Sequence, residues 1–413
     1  MAHNWDELPM ELLMEIAKLL TRFEDYAPFS GVCTSWQSVA ACLYPIPLLM
    51  LPPRKDSHAL DFYHLSDRIV NRISLSEALT GKRCYSSKGC LITIGHDLNV
   101  NLMHPFSNLQ HKFPNIKTID NWDENYGSSC YDRFINKCFL SVNPLLESDY
   151  ILMVIFGGFK RLVYARPGDE TWTVKGEQIN YSDITYYRGQ CYVVNLIGRV
   201  FACCIGGDDN LIEPEVVARL PSKFLEDCPD RLYIVESAGA LLIITRFVYS
   251  VTYEDEESVY VEDEDEESVY DEEEDEESIY DEDENEDEES VYDEEEDEDE
   301  VFNFPICTSY ISSKFQVFNV DLSTKTCTEI KDLGDRIIFL GHNSSFSLAC
   351  PPNCKPNSLY FTDDSKDTYL RIEEGGGMDM GIYNLQDGSI TPHFIDKSLD
   401  PLTPPMWIEH SFI

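Results

Sequence analysis

Apolar positions near the start of the chain recur at helical spacing. In residues 5–20, WDELPMELLMEIAKLL, the positions Leu13, Ile16, Ala17 and Leu20 fall on one face at three- and four-residue intervals, which predicts an amphipathic helix. Pro9 suits its first turn, where a missing N–H removes nothing. Thr21 with Glu24 has the form of a capping box and predicts a second helix, which Pro28 should end or kink. Val32, Trp36, Val39 and Ala40 then give a third apolar face. Three helices this short cannot bury all of these residues among themselves, so part of their surface is expected to meet a partner.

Residues 44–80 begin YPIPLLMLPP, whose prolines argue against a continuing helix and predict an extended connection. From about Cys84 the pattern changes to short β-rich runs broken by Gly, Asn, Asp and Pro, such as CLITIG, YILMVIFGG, ITYYRGQCYVV and ALLIITRF. One unit recurs: a strand, a tight polar turn and a short strand, as in LVYARPGDETWTV, VFNVDLSTKTCTEI and GIYNLQDGSITPHF. Another hairpin precedes it, so each repeat supplies four strands, the blade of a β-propeller. The expected architecture is therefore a small all-α unit (residues 4–43), a linker (44–80) and an all-β propeller of six or seven blades (81–410). A β-sandwich or two stacked barrels is the competing arrangement.

Charge alters the picture at one place. The formal net charge is −45, but 33 of the 76 acids lie in residues 254–300, which hold no Lys or Arg. The remainder has 43 acids against 31 bases, unremarkable for a soluble protein, and no basic patch points to nucleic acid. The segment repeats EDEESVY or EDEESIY four times; its charge density and sparse apolar content predict a disordered insertion within the propeller. It falls between the LLIITRF and FQVFNVDL strands, the second and third of a blade. Ser268, Ser278 and Ser290 each have Asp three residues later, the pattern an acid-directed kinase prefers, whereas Ser258 has Val261 there.

The start of the chain lacks a basic stretch followed by an apolar one, and no apolar run is long enough to cross a bilayer. The expectation is an intracellular protein of the cytoplasm or nucleus, not secreted and without a membrane span, whose 14 Cys are buried thiols. Cys350 and Cys354 lie near His342 but lack a fourth zinc ligand. No nucleophile elbow, phosphate loop or His-Glu-x-x-His occurs, so no catalytic residue, cofactor or metal is expected. Gly334-Asp335 and Asp387-Gly388 read as turn dipeptides, and His342-Asn343 as residues satisfying strand-end backbone groups.

Residues 4–43 resemble an F-box, on Leu8-Pro9, Leu12, Leu13 and Ile16, Asp25-Tyr26, and Val32-Cys33 with Ser35-Trp36. Thr34 and Gln37 stand where the family often has basic residues, and Pro28 where most members continue the helix. The resemblance implies docking to a Skp-type adaptor, and through it to a cullin, by Leu8, Pro9, Leu12, Ile16, Val32 and Trp36. The remainder resembles the kelch-like propeller of plant F-box proteins known as domain of unknown function 295, above all over residues 333–343. Together these imply a non-catalytic receptor of a ubiquitin ligase that holds an unidentified protein target. The alternative is a propeller scaffold whose F-box has drifted.

Overall fold

Leu12 and Leu13 both donate their backbone N–H to Pro9 O, at 3.0 and 3.1 Å, and so open the helix α1 (Met10–Lys18). Pro9 is extended (φ −55°, ψ 143°) and caps the helix from outside rather than occupying its first turn. Leu13 and Ala17 have no exposed surface and form a small nucleus with Phe29 and Val39, as the spacing predicted. The computed structural model describes residues 5, 8–19, 29, 32, 33, 35, 36, 39 and 47–409, less 55–57, 66–67, 76–78, 108, 121, 123–133, 176–178, 204–213, 225–227, 254–305, 352, 373–374 and 395–398. The expected second helix at Thr21–Glu24 and the acidic repeats with Ser268, Ser278 and Ser290 lie outside the described residues.

Among the described residues after 47, strands predominate. The strands are β1 (Leu48–Met50), β2 (Ala59–His64), β3 (Val70–Ser74), β4 (Arg83–Ser87), β5 (Cys90–Ile94), β6 (Val100–Met103) and β7 (Gln110–Lys112). Next come β8 (Ile135–Leu140), β9 (Leu152–Phe156), β10 (Arg161–Ala165), β11 (Thr173–Lys175), β12 (Tyr181–Tyr187), β13 (Gln190–Asn195), β14 (Arg199–Cys203) and β15 (Glu215–Arg219). The last are β16 (Arg231–Ser237), β17 (Ala240–Tyr253), β18 (Ile306–Asp321), β19 (Thr326–Ile330), β20 (Arg336–Leu340), β21 (Phe346–Ala349), β22 (Ser358–Phe361), β23 (Gly381–Asn384), β24 (Ile390–Thr391) and β25 (Met406–Ile408). A short helix, α2 (Lys366–Tyr369), follows β22.

β4–β7 and β8–β11 are four-stranded sheets, and an eight-stranded sheet joins the β12–β15 and β16–β19 meanders through a single parallel pair, Arg219 with Thr326. β20–β24 form a five-stranded sheet in the order β21-β20-β22-β23-β24. The end strands lie side by side: β25 by β4, β4 by β8, β8 by β12, β12 by β16 and β16 by β21. Apolar clusters fill the space between neighbouring sheets, for example Ile92, Leu102 and Val154, or Ile234, Ile243 and Phe318. Leu49, Phe339, Tyr360 and Trp407 link the first sheet to the last. This is a β-propeller.

Three of the inner hairpins turn in the same way. At Lys88-Gly89, Arg188-Gly189 and Ala238-Gly239 two successive residues have positive φ, from 49° to 82°, and join β4 to β5, β12 to β13 and β16 to β17. That left-handed pair matches the twist of the flanking strands, which is why glycine holds the second place.

The N- and C-terminal ends of the sheet region meet in one sheet, β25-β1-β2-β3, with Leu48 opposite Ile408 and Met50 opposite Met406. The reading of 44–80 as a linker, with sheets beginning at 81, is corrected here. Pro47, Pro52 and Pro53 do exclude a helix, but they bracket a strand whose three apolar residues are wholly buried. β17 and β18 also run well past the sheet and pair from Leu242 with Asn319 out to Tyr253 with Ile306. These are the second and third strands of their meander, so the acidic segment is spliced in at the position expected. Among the described residues no helix is long and apolar enough to cross a membrane.

Candidate functional site

The N-terminal nucleus divides the six residues expected to meet an adaptor. Leu12 and Val32 have 53% and 46% of their surface exposed, and Trp5 and Met10 are exposed as well. Pro9 is exposed and Leu8 half-buried. Ile16 and Trp36 instead pack against Leu13, Ala17, Phe29 and Val39. The Trp36 ring lies 4.6 Å from that of Phe29, and its Nε1–H donates to Trp5 O at 3.1 Å. Trp36 therefore supports the helices as much as it offers them a surface.

A second constellation lies where the inner strands converge. The segment 341–345, Gly-His-Asn-Ser-Ser, is hydrogen-bonded to β4, β8 and β12. Ser344 donates its N–H to Ser86 O (2.8 Å), Ser345 Oγ donates to Asp183 (2.5 Å), and Lys137 Nζ donates to Gly341 O (2.9 Å). Gly341 sits at φ +149°, and a Cβ there would collide with Thr362 Oγ1, so only glycine lets the segment turn in. Asn343 Nδ2 donates to Ser344 O (2.9 Å) and reaches Phe339 O at the end of β20, a strand-end role as expected. His342 departs from that expectation. Its Nε2 accepts from Arg83 (3.0 Å) and meets the Tyr369 hydroxyl (2.9 Å), and burial beside Arg83 and Lys366 holds its pKa well below the usual value. Arg83 also donates to Tyr369. Cys350 and Cys354 pack far from any such role, against the cluster of Phe339, Tyr360 and Trp407.

Around this segment the charges are paired across sheets. Lys137 of β8 lies 3.3 Å from Asp183 of β12, both buried; burial raises the Asp183 pKa, and Lys137 opposes the rise. Arg246 of β17, with no exposed surface, reaches Asp364 at 2.8 Å and Asp379 at 2.9 Å, and Tyr233 donates to Asp364 at 2.9 Å. Arg231 at the start of β16 faces Asp367 at 3.5 Å. Lys366 donates to Ile135 O and Asn136 Oδ1, each at 3.1 Å. Beside them opens a cavity of about 40 Å³ lined by residues of β8, β12 and β16, by Gly341-His342 and by α2. Among the described residues no group of three or more His, Cys, Asp or Glu side chains is placed to hold a metal ion.

The 341–343 stretch stands out in the sequence, whereas its partners do not. The signal was present: Lys137 in INKCFL, Asp183 in YSDITYY and Arg246 in LLIITRF are lone charges inside strand-forming runs. Such a charge is tolerated in a core only when paired.

With this geometry in hand, the chain belongs to the KIB1-4 beta-propeller family, whose pattern its residues 62–384 match. It is similar to F-box protein SKIP23 of Arabidopsis thaliana, 23% identical over 424 residues covering 94% of this chain and 90% of the relative. A putative F-box protein of the same plant is 24% identical over 403 residues, covering 91% of this chain and 93% of the relative. Among solved structures, a chain from the crystal structure of a nidogen/laminin complex matches 48% of this chain and 70% of its own length, at 10% identity and a TM-score of 0.30.

Proposed function

We propose that this protein is a non-catalytic receptor subunit of a Skp–cullin–F-box ubiquitin ligase. Residues 4–43 act as the F-box and dock a Skp-type adaptor, which links the chain to a cullin, while the propeller holds a protein target. Its mechanism is proximity: the target's effective concentration beside the charged conjugating enzyme is raised, with no bond chemistry on this chain. The observation that carries the reading is the exposed apolar pair Leu12 and Val32 around a nucleus too small to need them. The names of the two Arabidopsis relatives, both F-box proteins, support it. In the same reading the ring has six blades, counting the eight-stranded sheet as two meanders, and Ser268, Ser278 and Ser290 are kinase sites on the acidic segment.

Interface energy concentrates in a few well-buried anchors, so the Leu12→Asp, Val32→Asp double variant should lose about 2 kcal/mol or more, roughly thirtyfold in affinity. The measurement is adaptor binding in solution, with far-UV dichroism to show that the helices persist. Equal affinity in variant and wild type would remove the proposal.

A further inference from the structure

We propose that the edge of β17 beyond Arg246 takes up an extended, Lys/Arg-rich segment of a partner protein as an added β-strand. β16 pairs with β17 only as far as Arg231 opposite Arg246, whereas β18 accompanies it on to Tyr253. Among the described residues no strand pairs with residues 247–253 on the β16 side. Backbone groups face the two sides of a strand alternately, and Asp230 marks the row that faces this one. Its N–H donates to Arg246 O at 3.0 Å, and its Oδ2 accepts from Val248 N–H at 2.6 Å. Ser250 is next in that row, on an exposed stretch. Asp230 thus ends the ladder that β16 begins, and an added strand would resume it from Ser250 outward.

The composition of that edge is the reason to expect an occupant. Residues 248–253, VYSVTY, are strand-forming and contain neither Pro nor charge, two devices that ordinarily blunt an exposed edge. One face of the hairpin is already covered, since Val248 and Tyr310 pack with Tyr369 of α2 and with Leu370 and Ile372. On the other face Tyr249 stands directly opposite Ile311, and the two are 64% and 58% exposed. A strand laid beside β17 would bring its own side chains against that pair. Charge decides what the strand is. The chain joining β17 to β18 carries 33 acids and no Lys or Arg in residues 254–300, so a second copy would set like charge against like. A segment in which Lys and Arg flank a strand-forming run meets opposite charge instead. Nothing in this site involves the helical unit, so it stands whether or not that unit docks an adaptor.

The test is fluorescence anisotropy of the full chain with a labelled peptide, Arg-Lys-Arg-Lys followed by four Thr-Val repeats, at low and moderate salt. Saturable binding is expected, weakened by salt. Replacing the whole Thr-Val run by Pro keeps the charge but removes every N–H from it, and should weaken binding about tenfold or more. Replacing the four basic residues by Glu should abolish binding. In the chain, Ser250→Pro removes an N–H that faces away from β18 and should weaken the Thr-Val peptide about tenfold, with a melting temperature near that of wild type. Should that variant not fold, the exposed Tyr249→Ser, Ile311→Ser double variant decides, with a loss of about tenfold expected. A chain lacking residues 254–300 should bind several-fold more weakly and with less dependence on salt. Absence of saturable binding, or equal affinity for the Thr-Val and Pro peptides, would overturn the inference, as would wild-type affinity in the double variant or in the chain lacking 254–300. Self-association of the full chain that Ser250→Pro abolishes would also overturn it, assigning the edge to a second copy.

Discussion

Arg246 is a cation without exposed surface, and the fold answers it with two carboxylates, two hydroxyls and backbone oxygens. Its Nε donates to Ser312 Oγ at 2.7 Å, Nη1 to Thr362 O at 3.0 Å and Nη2 to Asp379 O at 3.2 Å, besides the two ion pairs. Removing one member of such a set strands the others in a dry place. Arg246→Met should therefore destabilise the protein by about 3–5 kcal/mol, read from the denaturant midpoint, although Met is the more apolar residue. Gly341→Ala should cost roughly 2 kcal/mol or more, since Thr362 must give way. Histidine sets a pH limit. His393, buried against Trp407, bonds Phe361 O at 2.9 Å, and burial pulls its pKa from 6.5 to about 4. Above 6.5 the ring is neutral in both folded and unfolded chains, and its contribution is fully present. As pH falls toward 4 the unfolded chain takes a proton that the fold refuses, so stability is lost, on the order of 3 kcal/mol from this residue. His342 acts in the same direction. Melting temperatures between pH 7 and 4 check this, and His393→Gln should flatten the acid limb; an unchanged limb would show that another group governs it.

At the scale of elements, the sequence disclosed whatever depends on local period. α1 was legible because Leu13, Ile16 and Ala17 recur at helical spacing, and the hairpins because Gly marks their turns. β1 was not, since a three-residue strand between prolines has no period, and its partner β25 lies at the other end of the chain. The outer parts of β17 and β18 mix Val, Ile and Tyr with Ser and Thr, yet their closeness to the acidic repeats hid the strand signal. The candidate site was half legible for a related reason. A lone Lys137 or Arg246 in an apolar strand announces that a partner exists but not which one, because pairing across sheets is set by the ring. Trp36 marks the limit of motif reading. Its contacts with Phe29 and Trp5 O mean that Trp36→Ala should loosen the helical unit itself, seen as lost helical ellipticity, whereas Leu12→Asp should not.

At the scale of the whole molecule, closure by β25 makes both ends of the sheet region indispensable. A chain of residues 47–413 should melt cooperatively with a β-type spectrum, since each sheet is then complete. A chain starting at Asp61 lacks β1, and one stopping at 404 lacks β25; each leaves the hydrophobic links through Leu49 or Trp407 unmade. Both shortened chains should unfold at markedly lower temperature. If either melts like the longer chain, the first sheet is not what holds the ring shut.

The two long strands that carry the acidic segment have a practical meaning. Because Tyr253 and Ile306 are held in register by paired strands, the chain between them can change length with little consequence for the ring: doubling a flexible loop costs only about 0.6 kcal/mol. Deleting residues 254–300 should leave the melting temperature nearly unchanged, and a large drop would show that the segment is built into the sheets. The hairpin is in effect a socket. A fluorescent protein or an affinity tag grafted between residues 253 and 306 should be carried by that hairpin without breaking a sheet, and an unchanged melting temperature checks it.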